Sequence, residues 1–255
     1  MKRILYLVAA LLCGCACLEI LPAPSGLELP VVTPQDQLVA YQGYVSSYNT
    51  QTLIPNWVAY ELTDVETYGD ATRQDILFSM DRSFKGKQAM REDYAGSGWT
   101  KGHMAPAGDF SWSQDAMEES FYFMNVCPQR EELNKKDWQY LEKQVRRWAR
   151  EFGKVWVITG PIVGDNRYGT IGANHVVVPD AFFKAVLAQD GLGYQAIGFI
   201  MQNDDKRYFL EKCAYSIDEL ERRTGMDFFP LLPDELENAA EASYDLAFWD
   251  IDYKH

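Results

Sequence analysis

Short apolar runs recur along the chain between residues 56 and 203, and each is bounded by Gly, Pro, Asn or Asp. They are rich in β-branched and aromatic residues, a composition typical of strands. Five such runs predict strands: NWVAYELT, KVWVITGPIV, NHVVVP, AFFKAVLA and YQAIGFIMQN. Because no βαβ rhythm connects them, we expect an α+β fold in which helices flank a largely antiparallel central sheet.

A period of three and four residues marks one long helix in NKKDWQYLEKQVRRWAREFGK. Its apolar positions form a single stripe: Trp138, Leu141, Val145, Trp148 and Phe152. The stripe predicts a helix with one buried face, which Gly153 is placed to end. A second helix is expected to start at Ser216, where the Ser216 hydroxyl and the Glu219 carboxylate could form a capping box.

The N-terminal segment MKRILYLVAALLCGCAC has the features of an export signal, because Lys2 and Arg3 precede an apolar run too short for a stable membrane anchor. The run ends in LCGC and resembles the lipobox of bacterial lipoproteins, in which a cysteine becomes lipid-modified. Cys15 is the expected lipidation site and Cys17 the alternative, whereas a plain secretory signal would leave both unmodified. The lipobox implies a protein of the cell envelope or outer membrane, attached to a membrane only through lipid; a plain signal implies a secreted or periplasmic protein.

The next segment, LEILPAPSGLELPVVTPQDQ, is proline-rich and has neither a helical nor an alternating pattern, which indicates an extended tether. We therefore expect a signal peptide at 1–17, a tether at 18–36 and one globular domain at 37–255. A chain of this length can bury one sizeable core. The domain contains Cys127 and Cys213, whose pairing the sequence leaves open, because export permits a disulfide without requiring one.

The chain is acidic, since 37 Asp and Glu against 24 Lys and Arg give a net charge of −13. Non-specific coating of nucleic acid depends mainly on phosphate neutralisation, so this balance disfavours a coating protein but permits an enzyme with a local cationic cleft. From Arg130 to Lys154 the sign reverses, with eight basic and five acidic residues. A solvated helix face is the simpler interpretation for most of these basic residues.

One of the three histidines lies in a stretch with several features of a functional site, WTKGHMAPAGDF. Lys101 lies two residues before His103, so on an extended segment both side chains project to one face and place a cation beside a base. Gly102 permits close backbone approach, and Pro106 with Gly108 indicates a turn soon afterwards. A structural core histidine is the alternative interpretation of His103.

The segment FYFMNVCPQREELNKKDW places Asn125 and Asn134 on either side of a Pro-Gln turn, just ahead of the long helix. Asparagine at such positions is usually a cap or a turn former. Glu142 follows Asn134 by eight residues. On one continuous helix the two would lie about 12 Å apart along the axis, too far to hold one ion from both sides, so Glu142 could act through metal-bound water.

Taken in order, TKGHMAPAGDF, FYFMNVCPQREELNKKDW and the following LE resemble the DNA/RNA non-specific endonucleases. This is the family of mitochondrial endonuclease G, within the ββα-metal or His-Me finger nucleases. YQGYVSSYN, PNWVAYELT, TGPI, VPDAFFKAVL and TGMDFFP are also similar to segments of that family. The resemblance implies a metal-dependent endonuclease that hydrolyses the phosphodiester bonds of DNA and RNA without regard to the sugar. It also implies a ββα unit made of the strand around His103, a strand near residues 121–125 and the helix after Asn134.

The resemblance implies a role for each matching residue. The family's Asp-Arg-Gly-His motif falls on residues 100–103, which makes His103 the expected general base that activates water. Asn134 matches the family's one direct protein ligand to the divalent cation. Asn125 matches an asparagine that supports the geometry of the site, and Glu142 matches an acid that orients metal-bound water.

Two positions depart from the family's motif. Lys101 keeps the positive charge of the family's arginine without its bidentate fork, and Thr100 removes a carboxylate. Both departures concern the rate rather than the type of reaction. Arg73 matches, with a weaker alignment, an upstream arginine that contacts the phosphate, so Arg73 and Lys101 are the expected nucleic-acid-binding residues.

The chemistry fits these residue types. Phosphodiester hydrolysis needs a hard cation and a base with a pKa near neutrality, and unperturbed histidine has a pKa of about 6.5. Asparagine oxygen and water favour Mg²⁺ or Mn²⁺ over zinc, and His175 and His255 stand isolated, with structural or tail roles expected. The alternative from another class is a catalytically silent envelope lipoprotein that keeps the fold as a binding module. The presence of both His103 and Asn134 favours the enzyme, whereas Thr100 and the acidic net charge leave the alternative open.

Overall fold

The computed structural model describes residues 26–191 and 193–251. Its strands, in chain order, are β1 Leu38–Ala40, β2 Val45–Asn49, β3 Ile54–Thr63, β4 Thr100–His103, β5 Val126–Gln129, β6 Lys154–Ile162, β7 Thr170–Ile171, β8 Val176–Val177, β9 Ala181–Asp190, β10 Gly193–Gln202 and β11 Ala214–Tyr215. Its α-helices are α1 Arg91–Tyr94, α2 Gln114–Glu119, α3 Glu131–Lys135, α4 Asp137–Phe152, α5 Leu210–Cys213, α6 Ile217–Thr224 and α7 Asp234–Glu241. Short 3₁₀ turns cover Val65–Thr67, Ala107–Phe110 and Phe123–Asn125.

The central sheet has seven strands in the order β1-β2-β3-β6-β9-β10-β11, and every neighbouring pair is antiparallel. The predicted α+β fold with a largely antiparallel central sheet is therefore confirmed. Four of the five apolar runs form long central strands, namely β3, β6, β9 and β10. The fifth run, NHVVVP, contributes only the two-residue β8, which pairs with β7 outside the main sheet.

Alternation along the strands gives the sheet two buried faces. In β6, Val155 and Val157 pack in the cluster that contains the apolar stripe of α4, whereas Trp156 and Ile158 pack with residues of α6 and α7. Strand β9 follows the same alternation, which places Lys184 on the α4 face although it is fully buried. The sheet is thus the middle layer, and the α4 face carries the predicted site residues.

A ββα unit lies on this face. Strand β4 pairs antiparallel with β5, so that His103 is opposite Val126, and α3 and α4 follow directly. The second strand had been expected near residues 121–125 and lies instead at Val126–Gln129. Residues 123–125 form a 3₁₀ turn, because the buried Asn125 amide donates to the backbone oxygens of Ser120 and Ala105 and holds the chain in a compact bend.

The long helix agrees with its sequence pattern at its C-terminal end and differs at its start. Gly153 follows α4 with φ of 81°, a left-handed conformation that glycine adopts without a Cβ clash. At the other end, Lys136 has φ of −117° and ψ of −88°, so Asn134 lies on the separate helix α3. Asn134 and Glu142 therefore do not lie on one continuous helix, and the axial separation expected for such a helix does not apply to them.

Helix α6 begins as predicted at Ser216, whose hydroxyl oxygen accepts from the Glu219 backbone N–H at 3.3 Å. The reciprocal half of the expected capping box is not formed. The Glu219 carboxylate instead accepts from the guanidinium groups of Arg222 and Arg223, one turn further along the helix. A complete capping box would need the Glu219 carboxylate to accept from the Ser216 backbone N–H. Arg222 and Arg223 compete with that neutral donor, and their charge-assisted hydrogen bonds are stronger.

Residues ahead of the expected boundary at Gln37 already pack against the domain. Leu27 is fully buried on the α6 and α7 face, and the Val31 backbone N–H donates to the Asp227 oxygen at 2.9 Å. The predicted signal peptide, with Cys15 and Cys17, lies outside the described residues. Cys127 and Cys213 are buried free thiols. No helix within the described ranges has the length and hydropathy needed to cross a membrane.

Candidate active site

His103 is the last residue of β4, and its imidazole lies against an aromatic wall. The ring centroid is 5.1 Å from that of Phe78 and 4.9 Å from that of Phe121, which it meets edge to face. The Trp138 indole N–H of α4 donates to the His103 backbone oxygen at 3.4 Å. Backbone and ring are therefore both held in place, although the residue remains partly exposed.

The two ring nitrogens of His103 have different environments. Nε2 is enclosed and has no hydrogen-bond partner among the described residues. Nδ1 is thus the nitrogen available to exchange a proton with a molecule in the adjoining cavity. Burial, together with the positive charge of Arg73, lowers the pKa of His103 from 6.5 to about 3. The imidazole is consequently neutral at pH 7, as a general base must be, but so low a pKa makes it a weaker base than the near-neutral histidine expected from the sequence.

Asn125 fixes the loop that follows His103. Its Oδ1 accepts from the Ala105 N–H at 2.8 Å, and its Nδ2 donates to the backbone oxygens of Ala105 at 2.7 Å and Ser120 at 2.9 Å. The side chain is fully buried and does not line the cavity. Asn125 therefore positions the backbone beside His103 and does not contact a substrate.

Thr100 orients Asn134. The Asn134 Nδ2 donates to the Thr100 Oγ1 at 3.0 Å, while the Thr100 hydroxyl donates to the Gln129 backbone oxygen at 2.8 Å. The amide nitrogen of Asn134 is thereby tied to the β4 side, and its Oδ1 is left without a hydrogen-bond partner among the described residues. The threonine that departs from the family's motif thus holds the proposed ligand through a neutral hydrogen bond.

Glu142 lies on α4 and interacts electrostatically with the buried Lys184 of β9. Burial raises the pKa of Glu142, while the positive charges of Lys184 and Arg146 favour its ionised form. Burial lowers the pKa of Lys184, and the charge of Glu142 opposes that effect. The Lys184 ammonium donates to the Met104 backbone oxygen at 3.3 Å, directly after His103 in the chain. Lys184 therefore connects the base-bearing strand with the carboxylate on α4.

A buried acid supports the other end of the same turn. Asp109 is fully buried in the 3₁₀ turn after His103; it accepts from the Tyr60 hydroxyl at 2.8 Å and forms an ion pair with Arg146 of α4. Sequence reasoning did not single out Lys184 or Asp109 as site residues. The available signal was a lysine on the core face of an otherwise apolar strand, and an aspartate between Gly108 and Phe110.

One cavity of about 610 Å³ gathers most of the predicted site residues, with Arg73, Lys101, His103, Asn134 and Glu142 all on its wall. The cavity wall also includes three further basic side chains, Lys135, Lys143 and Arg146. Five positively charged side chains and the neutral His103 therefore line a cavity with one acidic residue, in a chain whose net charge is −13. This is the local cationic cleft that an acidic enzyme acting on a polyanion needs.

The two expected phosphate contacts lie beside the histidine. The Arg73 guanidinium is 5.6 Å from the centroid of the Phe121 ring, and the Lys101 ammonium is 5.2 Å from the Tyr94 ring and 5.7 Å from the Phe78 ring. Among the described residues, neither cation has an ion-pair partner within 4.0 Å. Both charges are therefore available to an incoming anion.

The donor set at this cavity fits a hard divalent cation. Asn134 supplies a neutral amide oxygen and Glu142 a carboxylate, both oxygen donors of the kind that Mg²⁺ and Mn²⁺ prefer. His175 lies elsewhere, exposed in a loop with φ of 61°, and His255 lies outside the described residues. Asn134 Oδ1 has no hydrogen-bond partner among the described residues, so it is available to a cation that enters the cavity.

Comparison with known proteins gives concordant results. A family model described as DNA/RNA non-specific endonuclease matches residues 28–235. The chain is 37% identical over 207 residues to "Nuclease EXOG, mitochondrial" of Danio rerio and 35% identical over 207 residues to "Endonuclease G, mitochondrial" of Homo sapiens. These alignments cover 75% and 76% of this chain, and 60% and 70% of the two relatives. The chain thus spans 60% of the length of the zebrafish nuclease.

A shorter relative and a solved structure extend the comparison. "Nuclease C1" of Cunninghamella echinulata var. echinulata is 33% identical over 207 residues, which covers 75% of this chain and 82% of the relative. A chain from the crystal structure of the EndoG/EndoGI complex, a study of the mechanism of EndoG inhibition, superposes with a TM-score of 0.74 at 28% identity. That match covers 82% of this chain and 90% of the solved one.

Proposed function

The chain belongs to the DNA/RNA non-specific endonuclease family, and on that basis we propose that it is a metal-dependent endonuclease that hydrolyses the phosphodiester bonds of both DNA and RNA. The observation that carries the proposal is the single cavity into which four separate segments bring Arg73, Lys101, His103, Asn134 and Glu142. Each of these residues has an ordinary structural explanation when taken alone. Their convergence on one cationic cavity has none.

His103 would act as the general base. Its Nδ1 accepts a proton from the water that attacks phosphorus, and its lowered pKa keeps the imidazole in the accepting form at neutral pH. The aromatic wall of Phe78 and Phe121 keeps the ring from turning away. Arg73 and Lys101 would bind the phosphate oxygens and offset negative charge that grows during attack.

Asn134 would hold a divalent cation through its Oδ1, and Glu142 would bind the water around that cation. When bound, the ion would supply positive charge to the phosphate and to the leaving oxygen. Thr100 keeps the Asn134 amide in the orientation that presents oxygen to the cavity. Burial raises the pKa of Glu142, and the positive charge of Lys184 opposes that effect and so favours the ionised form, in which the residue is an acceptor only.

The direct test is digestion of a supercoiled plasmid and of a single-stranded RNA by the purified protein. We expect both to be cut in the presence of Mg²⁺ or Mn²⁺, cleavage to stop with EDTA, and cleavage to return when the metal is restored in excess. Binding of nucleic acid without cleavage in any metal would instead support the silent binding module. Cleavage of only one of the two polymers would contradict the lack of sugar discrimination.

Lys101 offers a second test, because it carries charge without the fork of an arginine. Lys101→Ala is expected to lower kcat/KM by the loss of a charge-assisted phosphate contact, about 1.5–3 kcal/mol or roughly 10- to 150-fold, while Lys101→Arg should keep or improve it. Lys85→Ala removes an exposed lysine that does not line the cavity and serves as the charge-matched control. An alanine variant at 101 that cuts at the wild-type rate would place Lys101 away from the phosphate.

We also propose export and lipid anchoring at Cys15, supported by the basic start, the apolar run and the Gly-Cys ending of the first residues. Labelled palmitate fed to expressing cells should enter the protein and be absent from Cys15→Ala, with Cys17→Ala as the matched control. Label that persists in Cys15→Ala and is lost in Cys17→Ala would move the site to Cys17. An unlabelled wild-type protein would refute the anchor.

A further inference from the structure

Helices α6 and α7 cover the face of the sheet opposite the cavity. Ile217 and Leu220 of α6 and Ala240 of α7 pack in one apolar cluster with the sheet. The polar edge between the two helices carries Asp218 and Glu221 of α6, one turn apart, and Glu241, the last residue of α7. This acidic edge is remote from the ββα unit and has no part in the proposed hydrolysis.

The three carboxylates at this edge converge. One oxygen from each of Asp218, Glu221 and Glu241 can be chosen so that all three oxygens lie within 4.8 Å of one another. Among the described residues, no other three Asp, Glu, His or Cys side chains meet that criterion. Glu221 also accepts from the Phe228 backbone N–H at 2.8 Å, which fixes one oxygen and leaves the other for a ligand.

Glu241 provides an independent sign that a group is missing from this edge. Its side chain is 6% exposed, and its Oε1 is enclosed with no hydrogen-bond partner among the described residues. A buried carboxylate oxygen without a partner is costly, so such an oxygen is normally paired, protonated or bound to a metal. The Glu241 carboxyl group lies beside two further carboxylates, and no donor among the described residues reaches its Oε1.

The surrounding charges do not neutralise the cluster. Burial raises the pKa of Glu241, and the negative charges of Glu221, Glu237, Asp218 and Asp227 raise it further. The neighbouring cations Arg222 and Arg223 are both engaged by Glu219, which lies outside the cluster. The C-terminus of α7 adds the negative end of a helix dipole at the same point. A cation is the ligand class that this surface selects.

We propose that Asp218, Glu221 and Glu241 form a calcium-binding site that joins α6 to α7. Calcium takes oxygen ligands at 2.3–2.6 Å, so two of its ligands can lie up to about 4.6–5.2 Å apart, which accommodates the observed spread. Magnesium, at 2.0–2.1 Å and with near-ideal octahedral geometry, tolerates less spread among its ligands. Backbone oxygens and water would complete the larger coordination shell of calcium.

Thermal unfolding of the full chain with and without CaCl₂ tests the site. In the wild type, calcium a hundredfold above its Kd should raise Tm by about 5–10 °C, because it binds only the folded arrangement. Glu241→Gln and Asp218→Asn should each lose most of that increment, whereas Glu235→Gln, an exposed acid on α7 outside the cluster, should keep it. The calcium-dependent increment is the readout, so a change in the baseline Tm of a variant does not affect the comparison.

Two further measurements separate this site from the nuclease cavity. Asn134→Ala should retain the calcium increment, and isothermal titration of Asn134→Ala with CaCl₂, in which the cavity site is weakened, should show one binding event that the added Glu241→Gln change abolishes. Glu241→Gln should also keep the nuclease activity measured with Mg²⁺. The proposal is overturned by a wild-type Tm that calcium does not change, by an increment that survives in Glu241→Gln, or by one that disappears in Asn134→Ala.

Discussion

Replacing His103 with alanine is expected to lower kcat/KM for plasmid cleavage by about 10²- to 10⁴-fold, the usual range for loss of a general base. The variant should stay folded, because the residue is partly exposed and its enclosed Nε2 makes no hydrogen bond that the fold would lose. The activity should remain lost at every Mg²⁺ or Mn²⁺ concentration, since the metal supplies charge and not a proton acceptor.

The matched control is His175→Asn. His175 is exposed in a loop, does not line the cavity and has φ of 61°, a conformation that asparagine tolerates better than alanine. Its cleavage rate should equal that of the wild type. A folded, fully active His103→Ala protein would remove His103 from the mechanism, and a variant that unfolds would favour the core-histidine interpretation.

The acid sensitivity of the fold provides a second readout of His103. The unfolded chain binds a proton at this residue near pH 6.5, whereas the folded chain does so only near pH 3, because its pKa is lowered to about 3. The contribution of neutral His103 to stability is fully present above pH 6.5 and is lost as the pH falls towards 3. Between pH 7 and pH 5 the wild type should lose about 1–2 kcal/mol relative to His103→Asn, measured by urea unfolding.

Loss of Asn134 is expected to look different from loss of His103. Asn134→Ala should weaken the apparent affinity for Mg²⁺ or Mn²⁺ by at least the roughly 10- to 100-fold typical of groups that support a metal ligand. Raised metal should therefore recover part of its activity, which it cannot do for His103→Ala. Metal titration of the cleavage rate and direct Mn²⁺ binding by electron paramagnetic resonance measure the two effects separately.

Two companion variants sharpen the Asn134 test. Thr100→Val removes the hydroxyl that accepts from the Asn134 amide at 3.0 Å while nearly keeping the side-chain volume, so it should weaken the metal in the same direction but less. Gln139→Ala changes an exposed residue on the same cavity wall and should leave the metal dependence unchanged. Wild-type metal affinity in Asn134→Ala would show that Asn134 is not a ligand.

The local pattern of apolar and polar residues was sufficient to predict the long central strands and the long helix. Alternating or continuous apolar runs predicted β3, β6, β9 and β10, and the three-and-four spacing predicted α4 up to Gly153. These signals act over a few residues and reflect burial of one face of the helix and of both faces of the central strands. NHVVVP failed as a long strand because only Val176–Val177 finds a partner, β7, and Pro179 lacks the N–H that a ladder needs.

The candidate site was predictable only as far as an ordered set of motifs allows. Resemblance to the nuclease family named Arg73, Lys101, His103, Asn134 and Glu142, and all five line one cavity. It did not show that the Asn125 side chain hydrogen-bonds backbone groups instead of lining the cavity. It also did not show that Asn134 lies on a separate short helix. A backbone break such as the one at Lys136 depends on what packs around it and leaves little trace in side-chain periodicity.

The sequence by itself therefore determined the long strands, the amphipathic helix, the local cation excess and the residue types needed for phosphodiester chemistry. Only the tertiary structure decided which side chains meet. The hydrogen bond between Asn134 and Thr100 joins residues 34 positions apart in the sequence, and the one from Lys184 to the Met104 oxygen joins residues 80 positions apart. Glu241 of α7 lies beside Asp218 and Glu221 of α6, and its Oε1 has no hydrogen-bond partner among the described residues. Periodicity and capping are properties of neighbouring residues, whereas these contacts depend on strand register and helix packing, which are set by the whole core at once.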